Sequence, residues 1–348
     1  MKNIKTLMVG SDLSVKGGMV SVVQRYKQTS FMDSVIYRAS YCDGSALKRI
    51  RIFGICLGQF MFDLCTKPSI RIVHIHMSEK GSFIRKSLVL TLAKLWGKKT
   101  ILHLHGAEFL LFYQKSPAFF QKYITHILTS ADHNIALSAQ WRKDILQIAD
   151  KTNISVIYNP CIVQEKPVRQ TERIRFLFMG RMGQRKGVYD LIEACKLLKN
   201  RHIQINLYGD GEVDQVRRLV EENNLSDFVN VHDWIRDAEK LQAFQASHVL
   251  LLPSYNEGLP MAILEALGYW MPVISTPVGG IPEAIIDGVN GFLIEPGNVV
   301  QLAEKMDTLS TSPELIETMG EASYQMAKEK FDLNRTIHQL ESLYKSLV

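Results

Sequence analysis

Short apolar runs rich in β-branched and aromatic residues alternate with amphipathic stretches along nearly the whole chain, and this alternation constrains the fold more than any other feature. In the first half the runs are KTLMVG, VIYRAS, IRIVHIH, KTILHLH, HNIALS and ISVIYN, with helical stretches between most of them. Strands separated in this way do not close as hairpins. They pair in parallel, with the intervening helices covering both faces of the sheet. After Pro160 comes CIVQEKPVRQTER, polar, non-periodic and interrupted by Pro167, which reads as a linker. Beyond it the pattern restarts with IRFLFMG, IQINLYG, VNVHDW, HVLLLPS and PVISTP, and helices are expected over about 188–200, 212–224, 237–247, 260–270 and 281–287. The fold class is therefore α/β: two doubly wound domains, 1–165 and 166–330, with a last helix within 331–348 packing back on the first. Their natural ligand site is a cleft at the carboxyl ends of the strands.

A length of 348 residues suits two domains of ordinary size, and 46% hydrophobic with 22% charged residues describes a soluble, folded chain. The start, MKNIKTLMVGSD, lacks the architecture of a signal peptide, and the longest apolar stretch, the 13 residues of FGICLGQFMFDLC, is too short to span a bilayer. A cytosolic protein is expected. The 5 cysteines, Cys42, Cys56, Cys65, Cys161 and Cys195, are scattered, with no C-x2-C and no histidines at metal spacing, so they read as reduced packing thiols. Charge is unevenly divided: residues 1–160 carry 22 Lys and Arg against 9 Asp and Glu, leaving 19 against 26 of the totals of 41 and 35 for the remainder. The basic half should meet a different partner from the acidic half.

Three stretches of the second half carry chemistry. In FLFMGRMGQRKGVYDLIEA a strand ends at Gly180, a loop presents Arg181 and Lys186, and Gly187 opens a helix. Two cations and a run of backbone N–H groups there make a pyrophosphate site, unless the two are merely solvated loop charges. In NLYGDGEVDQV, Gly209 and Gly211 form a strand-to-helix turn, but Asp214 stands where a dinucleotide fingerprint needs its third glycine. That turn either passes close to a nucleotide or serves topology alone. The third stretch, PSYNEGLPMAILEALGYWMPVISTPVGGIPE, holds Glu257, Glu265 and Glu283 in a segment that otherwise reads as buried. Unpaired charge in an apolar setting costs several kcal/mol, so something polar is expected against these carboxylates. With Pro260 as first helical residue, Glu257 and Glu265 lie within about 80° around the helix axis and ~12 Å along it, suited to opposite ends of one ligand. A sugar nucleotide has that shape. Gly279 and Gly280 would offer backbone N–H groups at the start of a further helix.

GRMGQRKG, YGDGE, the long glutamate stretch and DGVNGFL occur in the order and spacing of the retaining family 4 glycosyltransferases, which the chain resembles. The likeness covers the whole second half and is thinner in the first, where it rests on KGGMVSVV and HLHGAEF. It implies the GT-B fold, two Rossmann-like domains facing across a cleft. It implies that Glu257 sits by the sugar hydroxyls, that Glu265 binds the ribose, and that Arg181 and Lys186 neutralise the diphosphate leaving group. Gly209, Gly211, Gly258, Leu259, Gly279 and Gly280 join the donor-binding set, and Gly17 and Gly18 form a first-domain loop that closes on it. His105 matches the family's histidine near the donor sugar, although His103, two residues earlier on the same strand face, is exchangeable with it. Retention in this family is attributed to front-face attack, with the leaving phosphate oxygen helping to take the acceptor proton. Two cations and helix-terminal amides suffice to stabilise that phosphate, and no D-x-D triplet stands at a strand end, so no metal and no cofactor are expected.

Acceptor recognition is expected of the basic first domain, with Lys48, Arg49, Arg51, Arg85, Lys86, Lys94, Lys98 and Lys99. A helix with Phe83, Ile84, Leu88, Leu95 and Trp96 flanked by lysines is either a core helix with a solvated basic face or one that lies on an anionic membrane. Membrane contact would fit a polyprenyl-diphosphate-linked acceptor at the inner membrane face. No nucleic-acid module is recognisable. The expected activity is transfer from a nucleotide sugar, with UDP the expected nucleotide, to a glycan or lipid-linked glycan of a cell-surface polysaccharide. The alternatives are a sugar-nucleotide 2-epimerase of the same architecture and a non-catalytic nucleotide-sugar-binding partner, against which the presence of Arg181, Lys186, Glu257 and Glu265 counts.

Overall fold

The structure is a computed structural model that describes residues 5–169 and 172–348. It divides into two compact units, one running to Pro160 and including Leu333–Val348, the other Cys161–Asp332. The first unit contains β1 (Lys5–Gly10), α1 (Gly18–Tyr26), β2 (Val35–Ala39), α2 (Ala46–Thr66), β3 (Ile70–Met77), α3 (Gly81–Leu95), β4 (Lys99–Leu104), α4 (Phe109–Gln114), α5 (Ala118–Ser130), β5 (His133–Ala136), α6 (Ala139–Ile148) and β6 (Ile154–Val156). The second contains β7 (Ile174–Met179), α7 (Val188–Leu197), β8 (Ile203–Tyr208), α8 (Val213–Glu222), β9 (Val229–His232), α9 (Asp237–Ala246), β10 (Val249–Leu252), α10 (Met261–Gly268), β11 (Val273–Ser275), β12 (Gly291–Leu293), α11 (Val299–Ser310) and α12 (Pro313–Met326). The last helix, α13 (Leu333–Leu347), belongs to the first unit.

Each unit is built on a six-stranded sheet, β2-β1-β3-β4-β5-β6 in the first and β12-β11-β10-β7-β8-β9 in the second. All the pairings are parallel. Strands buried on both faces explain the apolar runs: β3 is buried at every position but Arg71, and β10 at all four. Helix starts follow local chemistry. Ser45 caps α2 by accepting from Lys48 N–H at 3.3 Å, Ser138 caps α6 through Trp141 N–H at 3.0 Å, and Pro313 occupies the first turn of α12.

The structure departs from the sequence reading in three places. The helix expected over 281–287 is a single 3-10 turn, Ile281–Glu283, because Ile286 N–H is captured by the Asn290 side chain at 2.7 Å and the chain turns into β12. Strand β12 is three residues long, too short for a periodic signal. Pro260 is extended (φ −71°, ψ 129°) and caps α10 from outside; Met261 is the first helical residue.

Candidate functional site

In the second sheet β7 lies beside β10, and their connections leave in opposite directions, β7 to β8 and β10 to β11. A doubly wound sheet opens a crevice at the carboxyl ends of such a strand pair. The loops there are Gly180–Gly187 after β7 and Pro253–Pro260 after β10. They are locked together: Tyr255 N–H donates to the Arg185 carbonyl at 2.9 Å, and Arg185 Nη1 to the Asn256 carbonyl at 3.1 Å. Gly187 is left-handed (φ 69°), and a Cβ there would run into the Pro253 carbonyl, so only glycine allows this approach.

Two buried carboxylates stand at this end of the sheet. Glu257, 6% exposed, is ion-paired with Lys186 Nζ and accepts from Ser254 Oγ at 2.9 Å. Ser254 is fixed in turn by Thr276 Oγ1, which donates to its carbonyl at 2.5 Å. Glu265, on α10 and 3% exposed, is gripped by Lys240 of α9, whose Nζ lies 2.8 and 2.7 Å from the two carboxylate oxygens. The polar partners that burial demands are thus present, and each is a lysine. Lys186 was visible in the loop motif. Lys240 was not, because α9 reads as an ordinary mixed-charge helix and only the fold brings it to Glu265.

The glycines divide by task. Gly279 is left-handed (φ 58°) and a Cβ on it would strike the Glu257 carbonyl, while Gly280 N–H donates to the Gly258 carbonyl at 2.6 Å. The pair therefore seats the loop after β11 against the Glu257–Gly258 backbone, and no long helix follows it. Gly258 and Leu259 are buried in this contact region. Gly209 and Gly211 serve close approach as well: Cβ atoms there would meet the carbonyls of Gly180 and Met182, and Met182 exchanges hydrogen bonds with Asp210 O (2.7 Å) and Glu212 N (3.1 Å). Arg181 is exposed on the same loop.

Beside these groups lies a cavity of about 650 Å³, lined by Tyr208 and His232 at the ends of β8 and β9, by Trp234 and Ile235 beyond, and by Glu239 of α9, next to the Lys240 that holds Glu265. Tyr208 and His232 are stacked, 4.4 Å between ring centres and 13° between planes. Such a wall offers a flat π-face to a planar ring.

In the first unit, β3 and β4 bring four histidines onto one face. His74 and His76 alternate along β3, His103 lies opposite His76 on β4, and His105 follows. Their rings are stacked or nearly so, with neighbouring centres 4.3 to 5.3 Å apart. His76 Nδ1 pairs with His105 Nε2 at 2.8 Å and His74 Nε2 with His103 Nδ1 at 3.2 Å; Tyr344 of α13 holds His74 Nδ1 at 2.5 Å. His103 is fully buried and His105 half-buried, so His105 is the member open to a ligand. Burial pushes His105 and His74 down to about 3 and holds His76 and His103 well below the ordinary histidine value, so the group is neutral at pH 7. Ring nitrogens of His74, His76 and His103 come within 4.8 Å of one another, close enough to hold a metal ion, a grouping that the sequence reading did not find. Gly17, with φ 143°, and Gly18 open α1 on an exposed turn.

Two expectations for the basic half are corrected. Lys86 is no surface cation: it is fully buried, its Nζ bonded to Ser40 Oγ at 2.5 Å and the Gly10 carbonyl at 3.3 Å, and burial pushes it down to about 7. Phe83 does not share an outer face with Ile84 and Leu88; it is core, packed edge-on against Phe109, Phe120 and Tyr123.

The family model of the glycosyl transferases group 1 matches residues 162–326, the part of the chain that holds both carboxylates, the Gly180–Gly187 loop and the cavity. An uncharacterized glycosyltransferase of Methanocaldococcus jannaschii is 32% identical over 249 residues, 71% of this chain and 68% of that protein. The chain belongs to the group 1 glycosyltransferases. A relative of this glycosyltransferase, an uncharacterized 41.2 kDa protein in the cps region of Klebsiella pneumoniae, is 26% identical over 356 residues, 96% of this chain and 98% of the other. Among solved structures, HepE of Anabaena in complex with UDP has a TM-score of 0.79 at 18% identity, covering 99% of this chain and 100% of that one. This likeness shows that the two parallel-sheet units form the GT-B fold.

Proposed function

We propose that this glycosyltransferase takes its sugar from a nucleoside diphosphate sugar, with UDP as the nucleotide, retains the anomeric configuration, and works without a metal. The observation that carries the reading is the row of groups at the carboxyl end of the second sheet: the aromatic cavity, Glu265 with Lys240, the loop bearing Arg181 and Lys186, and Glu257. A nucleobase fits against Tyr208 and His232, the ribose hydroxyls against Glu265, the diphosphate against Arg181 and Lys186, and the sugar hydroxyls against Glu257. The complex of the structurally similar HepE with UDP supports UDP as the nucleotide. On arrival of the donor, Lys186 exchanges part of its pairing with Glu257 for phosphate, and Glu257 is left to accept from sugar hydroxyls. Negative charge that grows on the departing phosphate is met by the two cations, Lys186 from its place beside Glu257 and Arg181 from the same loop, which lowers the barrier. Glu257 is not the nucleophile in this scheme; the leaving phosphate oxygen assists the acceptor proton on the same face.

The acceptor we propose is a glycan, lipid-linked in the assembly of a cell-surface polysaccharide, the setting that the cps-region relative supports. The test is a panel of UDP-, GDP- and ADP-sugars incubated with the full chain in the presence of a chelator, reading released nucleoside diphosphate, with Glu257→Ala and Lys186→Ala alongside. One donor should be consumed, and both variants should lose the activity by at least about a hundredfold. Dependence on an added divalent ion, or an inverted anomer in the product by NMR, would remove that part of the proposal.

A further inference from the structure

Helices normally turn their apolar stripe to the core and their polar residues outward. On the first unit, α2 and α3 do the opposite as well. The buried side of α2 is Cys56, Phe60, Asp63 and Leu64, yet its outer side carries Leu47, Ile50, Ile55 and Phe62, exposed by 79, 68, 46 and 63%. The outer stripe of α3 is Ile84, Leu88, Thr91 and Leu95, at the spacing of one helical face, and it ends at the exposed Trp96. The two helices are neighbours, since Arg49 of α2 and Arg85 of α3 both lie over the ring of Tyr41, 5.5 and 5.1 Å from its centre.

Charge decides what covers this surface. The only carboxylate on either helix is Asp63, which is buried and held by Arg38 and Lys67, each at 2.7 Å. Lys48, Arg49 and Arg51 stand exposed in the opening turns of α2, beside the apolar outer residues. The surface is thus apolar along its length, cationic at one end and free of exposed acid on both helices. A second copy of the chain would set the two clusters of cations against like charge, or against apolar surface that leaves them unpaired. An anionic lipid surface satisfies both properties at once: Leu, Ile, Phe and Trp enter the acyl boundary while Lys and Arg meet headgroup phosphates. At 21 residues, α2 is about 31 Å long and lies along such a surface; no helix among the described residues is long and apolar enough to cross one.

We infer that the outer faces of α2 and α3 form a docking surface for an anionic phospholipid bilayer. The inference stands apart from the choice of donor, because none of these residues belongs to the donor site. The test is flotation of the full chain with phosphatidylcholine vesicles, with and without one third phosphatidylglycerol, at low and high salt. The chain floats with the anionic vesicles at low salt, and substitution of Lys48, Arg49 and Arg51 together by Gln weakens binding by about a hundredfold. Leu47→Ser, Ile50→Ser and Phe62→Ser combined abolish flotation without changing the melting curve, since all three side chains are largely exposed. Val300→Ser and Leu197→Ser, at exposed apolar positions of the second unit, change nothing. Absence of flotation, equal flotation of every variant, or a dimer in light scattering that the serine variants dissociate would each overturn the inference.

Discussion

Glu257 and Glu265 are tolerated in the interior only because each meets a lysine, and that dependence gives the sharpest residue-scale expectations. Removing Lys186 leaves a buried carboxylate with Ser254 alone as partner, the situation in which breaking a buried ion pair costs about 3 kcal/mol or more. Lys186→Ala should therefore lower the unfolding free energy of the second unit, measured in urea, by that amount, and Glu257→Gln in the same chain should restore most of it, because it removes the stranded charge. A double variant no more stable than Lys186→Ala would show that the pair is not coupled. Gly279 makes a different demand. Its φ of 58° and the closeness of the Glu257 carbonyl mean that an added methyl has nowhere to go. Gly279→Ala should cost about 2 kcal/mol and shift the backbone that carries Glu257, so donor binding measured by calorimetry should weaken with it. Unchanged affinity would mean that the loop after β11 does not support the site.

At the scale of elements, β3 and β4 stack four neutral imidazoles, and their protonation is linked to folding. Burial lowers His74 from 6.5 to about 3, so as pH falls through 6.5 the unfolded chain takes up a proton that the folded chain refuses. The sign is therefore loss of stability toward acid: full above 6.5, falling until about 3, and for His74 alone about 2 kcal/mol by pH 5. Unfolding of the first unit at pH 7.5 and pH 5, compared with that of His74→Gln, tests this; the variant should show a flatter pH dependence, and parallel curves would exclude His74 as a source. The ladder also marks the limit of what the sequence discloses. IRIVHIH and KTILHLH show histidines with period two, but the parallel register that sets His76 opposite His103 is a property of the pairing. Strand and helix alternation was legible because parallel strands buried on both faces must be continuously apolar. Glu257 and Glu265 stood out because carboxylates are foreign to such runs. Lys240 did not, since its partner lies 25 residues away on another helix. The outer face of α2 escaped, and that of α3 was legible only as one of two alternatives, for a related reason: Phe83 and Ile84 are equally apolar in sequence, and only packing against Phe109 and Phe120 sends the first inward.

For the whole molecule, the chain passes between its two units twice, at Pro160–Cys161 and again at Asp332–Leu333, so its last helix completes the unit that its first residues began. Cys161 N–H, bonded to the Phe331 carbonyl at 2.7 Å, ties the two passages together within the second unit. The helix α13 then contributes Leu333, Leu340 and Tyr344 to the first unit's core, and Tyr344 packs on Phe31 with ring centres 5.5 Å apart while its hydroxyl meets His74. Burial of three such side chains stabilises by about 6 kcal/mol, a large part of the stability of a domain of this size. Deleting residues 333–348 should therefore abolish or strongly depress the thermal transition of the first unit and leave that of the second in place. Tyr344→Phe grades the effect, costing about 1 kcal/mol through the lost partner of His74 Nδ1 with the packing kept. Calorimetry resolves the outcome: a deletion that shifts both transitions equally would mean that the units unfold as one, and one that shifts neither would mean that α13 is dispensable to the core it fills.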